Sequence, residues 1–281
     1  MITETPSGIL FVDFGGNGDV IHLAHANGFP TESYQLLAEQ LTRTHHVIGM
    51  EGRPLWSNSD YRLFHTWETA ANDLIRFLDE KQLKGIVGAG HSFGAVATVI
   101  AANKRPDLFS KLVLIEPVIL PKWIYFLSIS APYWFLKLMN PVAKKAAKRT
   151  DVWESREIAF KQFRKKKVFS KMSDEALWEY VNAGTELTET GKAKLRYSKE
   201  WETRVYLTVS NPWNELTKLS IPFVVFRGET SDTITKKVWQ ECQLLKTNGT
   251  FMEMRDCGHL VPFEKPEELA QDIGKFLASA G

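Results

Sequence analysis

Residues 90–94 read Gly-His-Ser-Phe-Gly, a serine with a glycine two positions to either side. A serine hydroxyl acts as a nucleophile only where a base can take its proton and the backbone lifts it clear of its surroundings. A chain of this length shows that five-residue pattern by accident about one time in ten, so the flanks must decide. Before it, "KGIVGAG" is a short apolar run containing Ile86 and Val87; after it, "AVATVIAANKRPDLF" reads as a small-residue helix that stops near Pro106. Strand, sharp turn and helix together form a nucleophile elbow, whose strain pushes the hydroxyl out of the sheet. Gly90 and Gly94 fall where a side chain would collide with neighbouring strand and helix backbones. Ser92 is therefore read as a nucleophile at a helix N-terminus.

The elements needed to hold it are visible on both sides. Apolar runs at 8–14, 20–25, 46–50, 85–90, 111–116, 221–227 and 250–254 are strand-like, several of them continuous as in strands buried on both faces. Helical patterns at 33–42, 66–82, 234–246 and 266–278 separate them; the second starts at a Thr cap and repeats Trp67, Ala70, Ala71, Leu74, Phe77 and Leu78 on one face. Strands alternating with helices predict a mostly parallel sheet covered on both sides, an α/β fold. The alternation breaks over 121–212, which is helical, aromatic and basic with no convincing strand run. That stretch is read as an inserted helical cap on a core made of 1–120 and 213–281.

Composition narrows the class further. The 281 residues, 44% of them hydrophobic, can fill a sizeable core. Lys and Arg total 35 against 33 Asp and Glu, so the molecule lacks the electrostatic footprint of a nucleic-acid binder. The balance hides one block: Asn140 to Lys171 holds eleven Lys/Arg against three Asp/Glu, a net +8 in a chain whose total is +2. Its run "KQFRKKKVF" suits a solvated helix face, and, as the alternative, an anionic substrate or membrane surface. Only Cys242 and Cys257 are present, which disfavours a disulfide framework or a Cys-x-x-Cys metal site. With no basic-then-apolar leader visible in "MITETPSGIL", a cytoplasmic protein is expected. The apolar stretch 123–136 contains a proline and is short for a membrane span.

"AHANGFP", "AGHSFG", "LVLIEP", "IPFVVFRGETSD" and "CGHLVPFEKPEEL" occur in the order and spacing of the α/β-hydrolase superfamily, and the resemblance covers nearly the whole chain outside the cap. "HANGFP" with "RPLW" resembles a group of poorly characterised bacterial hydrolases. The resemblance makes His259, in Cys257-Gly258-His259-Leu260, the catalytic base. As a neutral imidazole it would take the Ser92 proton and return it to the leaving group. A carboxylate after a late strand holds that histidine, and Asp232 is the expected one, although it lies four residues after Gly228 where the superfamily pattern has three. Glu116, ending "LVLIE", is the alternative acid, disfavoured because Pro117 biases it toward extended backbone; Glu229 ranks third. The oxyanion hole is expected from the backbone N–H groups of Phe93 and, by similarity to the superfamily's loop, Phe29.

Around this centre, His25 and Asn27 either lean into the site or pin their own turn. Trp56 either overhangs the pocket or is packed beside Pro54. The aromatics Trp123, Tyr125, Phe126, Tyr133, Trp134 and Phe135 line the pocket or fill the cap, with Trp134 and Phe135 taken as substrate contacts that set acyl chain length. His22, His45, His46 and His65 read as solvated or structural, and His91 fills the variable position before the nucleophile. The expectation is a serine hydrolase acting on an ester or thioester of a hydrophobic small molecule, with no cofactor and no metal. Carbon–carbon bond hydrolysis by the same triad and a non-catalytic ligand-binding protein on this scaffold are the alternatives.

Overall fold

The structure is a computed structural model describing residues 2–130, 133–245 and 247–279. The chain opens with β1 (Ile2–Glu4), β2 (Leu10–Gly15) and β3 (Val20–Ala24), followed by α1 (Gln35–Leu41), β4 (His46–Met50) and α2 (Glu68–Glu80). The elbow joins β5 (Ile86–His91) to α3 (Phe93–Lys104), and β6 (Phe109–Ile115) follows. Between β6 and the last two sheet strands come α4 (Lys122–Ser130), α5 (Tyr133–Met139), α6 (Pro141–Ala147), β7 (Val152–Trp153), α7 (Arg156–Arg164), α8 (Asp174–Gly184), β8 (Thr185–Leu187), β9 (Ala193–Leu195), α9 (Lys199–Leu207) and α10 (Pro212–Lys218). The chain closes with β10 (Phe223–Gly228), α11 (Lys236–Gln243), β11 (Gly249–Met254), α12 (Val261–Glu264) and α13 (Pro266–Ala278).

Eight strands form one sheet in the order β1-β2-β4-β3-β5-β6-β10-β11, antiparallel at the first two pairings and parallel from β4 onward. β5 and β10 are buried at every residue, which is why they read as continuous apolar runs. One core cluster packs α2, α3 and α11 on one face around Trp67, Phe77, Val99 and Trp239; another packs α1 and α13 on the opposite face around Leu37, Leu41, Leu269 and Ile273. The elbow lies inside this double layer, at the carboxyl ends of parallel strands, where open α/β sheets place their sites.

Three sequence expectations change. The segment after β6 is not wholly helical: β7, β9 and β8 pair as a small antiparallel sheet. Each strand has only two or three residues, too few for a period-of-two signal to emerge. The α2 helix has Trp67 rather than a threonine at its N-cap, without a side-chain cap. Trp123 and Phe126 are exposed, so they fill no cap core, whereas Tyr125 is buried and hydrogen-bonded to Val118 and Leu120. Phe135 is half-buried on α5; the Trp134 and Tyr133 side chains lie outside the described residues. Among the described residues, no helix is long and apolar enough to cross a membrane.

Candidate active site

Ser92 sits at φ 56°, ψ −117°, a conformation that costs a non-glycine residue about 1–3 kcal/mol. Its neighbours over-determine that turn. The Ser92 N–H donates to the Ile115 carbonyl at 2.9 Å. A Cβ on Gly90 would stand 2.7 Å from the Ala95 backbone, and one on Gly94 2.4 Å from the Ala24 carbonyl oxygen. Only hydrogen fits at either position, so β3, β5 and α3 can close around the serine.

His259 follows β11 and projects onto the elbow. Its Nε2 lies 2.9 Å from Ser92 Oγ and its Nδ1 2.9 Å from Glu116 Oε2. Because a carboxylate only accepts, Nδ1 carries the proton in the neutral ring and Nε2 accepts from the serine hydroxyl. The His259 side chain is 19% exposed while Glu116 is fully buried, so the proton-accepting edge is reachable and its anchor is dry. A Cβ on Gly228 would stand 2.2 Å from the Gly258 carbonyl oxygen, which explains the glycine that brings the histidine loop against β10.

The carboxylate is Glu116, not Asp232. Asp232 is exposed, whereas Glu116 receives the Gly228 N–H at 2.6 Å, the Ser231 hydroxyl at 2.7 Å and His259. Three donors compensate the burial of one negative charge. The side chain turns inward because Glu116 adopts φ 47° while its N–H is held by the Phe226 carbonyl at 2.8 Å. The backbone bias from Pro117 is thus overruled by pairing with β10. Three residues after Gly228 stands Ser231, where the superfamily pattern has its acid; its hydroxyl braces Glu116 and receives the N–H groups of Thr233 and Ile234. The sequence reading missed Ser231, although the displaced Asp232 spacing was its signal. Glu229 is exposed and receives the Asp256 N–H, away from the histidine.

The oxyanion expectation for Phe29 is also corrected. Its N–H donates to the Ala26 carbonyl at 3.1 Å, closing a turn with Gly28 at φ 79°, and its ring packs on Tyr180, Phe263 and Phe169. A donor already engaged in a turn is unavailable to a developing oxyanion. Phe93 begins α3, where first-turn N–H groups have no intrahelical acceptor. His25 and Asn27 both pin rather than point. His25 Nδ1 donates to the Ala26 carbonyl at 2.8 Å and Nε2 receives the Gly52 N–H at 2.8 Å. Asn27 donates to the Glu202 carbonyl and receives the Tyr197 hydroxyl, tying the turn to α9 and the residues before it. Trp56 is likewise fixed by packing, its N–H on the Glu51 carbonyl at 2.7 Å and its ring beside the Arg53 and Arg76 guanidiniums.

His91 has a place that its variable motif position does not signal. The Ala26 N–H donates to the Tyr34 hydroxyl, that hydroxyl donates to His91 Nδ1 at 2.8 Å, and His91 Nε2 donates to the His259 carbonyl at 2.9 Å. This strut joins the 26–29 turn to the histidine loop, and it needs a neutral His91. Burial, then the neighbouring His259, lowers the His91 pKa well below its usual value; burial lowers that of His22 to about 3. Unfolded, both histidines titrate near ~6.5. Stability is therefore complete above that pH and declines below it, because the unfolded chain takes up protons that the native state refuses. Each histidine contributes a slope of up to ~1.4 kcal/mol per pH unit. Urea unfolding at pH 7.5 and pH 5 should show the loss, and His91→Gln should flatten the slope; equal stability at the two pH values would contradict neutral burial.

Three comparisons bear on this arrangement of elbow, histidine and carboxylate. The alpha/beta hydrolase family matches over residues 23–272. The chain belongs to that family. The uncharacterized hydrolase YugF of Bacillus subtilis is 24% identical over 246 residues, covering 87% of this chain and 85% of that protein. The strigolactone esterase RMS3 of Pisum sativum is 33% identical over a shorter match, 36% of this chain and 39% of its own. Among solved structures, E-2-(acetamidomethylene)succinate hydrolase superposes with a TM-score of 0.83 at 16% identity over 99% of both chains, a likeness of fold. Among the described residues, no group of three His, Cys, Asp or Glu side chains is arranged to hold a metal ion.

Proposed function

We propose that this alpha/beta hydrolase is a serine hydrolase that cleaves a carboxylic ester or thioester through an acyl-enzyme. The observation that carries the proposal is the continuous line Ser92 Oγ, His259 Nε2, His259 Nδ1, Glu116 Oε2, with 2.9 Å at both hydrogen bonds. The likeness to a strigolactone esterase supports the ester class.

Ser92 Oγ attacks the substrate carbonyl carbon while its proton passes to His259 Nε2. Glu116 stabilises the imidazolium so formed and holds the ring in the tautomer that the attack requires. The tetrahedral oxyanion is received by the Phe93 N–H and by a second donor on the 26–29 turn. Of that turn's amides, Ala26 and Phe29 are engaged and Gly28 faces the Tyr197 hydroxyl, while Asn27 has no acceptor among the described residues, which makes its N–H the candidate. Collapse breaks the bond to the leaving alcohol or thiol, which takes the proton from His259. Water then gives a proton to His259 and attacks the acyl carbon, and collapse of that second tetrahedral intermediate breaks the acyl–Oγ bond as His259 returns the proton to Ser92 Oγ, releasing the acid.

A fluorophosphonate probe tests the reading without knowledge of the substrate. Rapid covalent labelling that Ser92→Ala abolishes is expected. A folded wild-type protein that resists the probe would instead fit a ligand-binding protein on a hydrolase scaffold.

A further inference from the structure

A second group of buried polar side chains lies where the segment after β6 covers the 26–29 turn. A Cβ on Gly28 would stand 3.4 Å from Glu202 Cδ and 3.7 Å from Arg149 Nη1, so the turn lies within van der Waals reach of this group. Arg149 pairs with Glu202, each about one-tenth exposed, and Nη2 donates to the Tyr180 hydroxyl at 3.3 Å. These bonds use two of the five N–H groups of a guanidinium. The Tyr206 hydroxyl belongs to the same group: burial first, then Glu202, raises its pKa.

The charges here do not cancel. Lys166 stands at the solvent edge with Nζ 4.6 Å from the centre of the Phe163 ring, which also faces Arg149 at 6.0 Å. Desolvation, then the Arg149 charge, lowers the Lys166 pKa, and Glu202 offsets this only in part. Two cations thus share one carboxylate, Arg149 nearly buried beside it and Lys166 at the exposed rim, leaving a single positive charge in excess. An anion arriving there is drawn by the surplus charge and can take up the spare guanidinium donors of Arg149 in charge-assisted hydrogen bonds. One excess charge with a planar fork of spare donors matches a carboxylate monoanion better than a doubly charged phosphate. Arg149 and Lys166 both come from the basic block whose remaining cations mostly face solvent.

Resting on the hydrolase reading above, we propose that Arg149 and Lys166 form a subsite for the far carboxylate of the substrate. The preferred substrates are then monoesters or monothioesters of short dicarboxylic acids. The ester carbonyl lies over Ser92, and the acyl chain crosses the 26–29 turn to reach the subsite.

The test is calorimetric binding to the Ser92→Ala protein of monomethyl glutarate and of its neutral twin, dimethyl glutarate. The monoanion should bind about 10-fold or more tightly, as a charge-assisted hydrogen bond predicts. Replacing Arg149 alone would strand Glu202, so the pair is removed together: Arg149→Met/Glu202→Gln in the same background should erase the preference. Lys166→Met, at an exposed position that folding tolerates, should weaken it about 3-fold, as expected of a partly screened charge. Equal binding of the two esters to Ser92→Ala, or a preference that survives in both altered proteins, overturns the subsite. Binding needs no turnover, so a carboxylate preference in a protein that resists fluorophosphonate refutes the hydrolase reading and keeps the subsite. Labelling combined with equal binding does the reverse.

Discussion

Ser92→Ala and His259→Ala should each lower ester turnover by about six orders of magnitude, and the double variant should be hardly worse than either single one. The hydroxyl and the imidazole act in one proton transfer across one 2.9 Å hydrogen bond, so losing either ends the same event. Residual turnover would come from the oxyanion donors and substrate binding alone. The Ser92→Ala protein should stay folded, since the change removes one oxygen and leaves the Ser92 N–H on the Ile115 carbonyl. Turnover numbers for the three proteins on one aryl ester decide the matter. Losses that multiply in the double variant, or substantial activity in either single one, would sink the triad.

Glu116→Gln should cost about four orders of magnitude in turnover, whereas Asp232→Asn should leave the rate little changed. The Glu116 carboxylate faces three donors: Gly228 N–H, Ser231 O–H and His259 Nδ1–H. An amide offers one oxygen to those three, so its NH2 must face at least one of them. If it faces His259, the ring moves its proton to Nε2, where it opposes the Ser92 hydroxyl and removes the base. If it takes the other oxygen's place and faces Gly228, a buried N–H donor is left unsatisfied at a cost of about 1–3 kcal/mol, and the variant melts earlier. Asp232 is exposed and lies outside this network. Rates for both variants on one ester, with circular dichroism as the folding control, separate the two carboxylates. A Glu116→Gln protein with near-normal turnover would exclude Glu116 as the acid.

The same contrast marks how far the sequence reaches. The alternation of strands and helices, the parallel sheet, and the strand–turn–helix around Ser92 are all readable along the chain because each depends on residues a few positions apart. Gly90 and Gly94 belong with them, since the collisions they avoid are built into the elbow itself. The turn at 26–29 is also locally encoded, by Asn27-Gly28, a turn pair whose closure commits the Phe29 N–H to the Ala26 carbonyl. The identity of the acid is another kind of fact. Glu116 meets Gly228, Ser231 and His259 across separations of 112, 115 and 143 residues. Those meetings depend on β6 lying beside β10 in one register, with the Glu116 N–H on Phe226. No local propensity carries that register, and the one local rule invoked, the extended bias before Pro117, pointed the other way. His91 and Tyr34 are similar: an ordinary motif filler and a helix-approach tyrosine become a strut only when β5, the 26–29 turn and the loop after β11 converge. The sequence by itself determined the fold class, the elbow and which residue types stand at the ends of the strands. Tertiary structure decided which of them touch, because hydrogen bonds of 2.6–2.9 Å are sensitive to sheet register and to single backbone conformations such as φ 47° at Glu116.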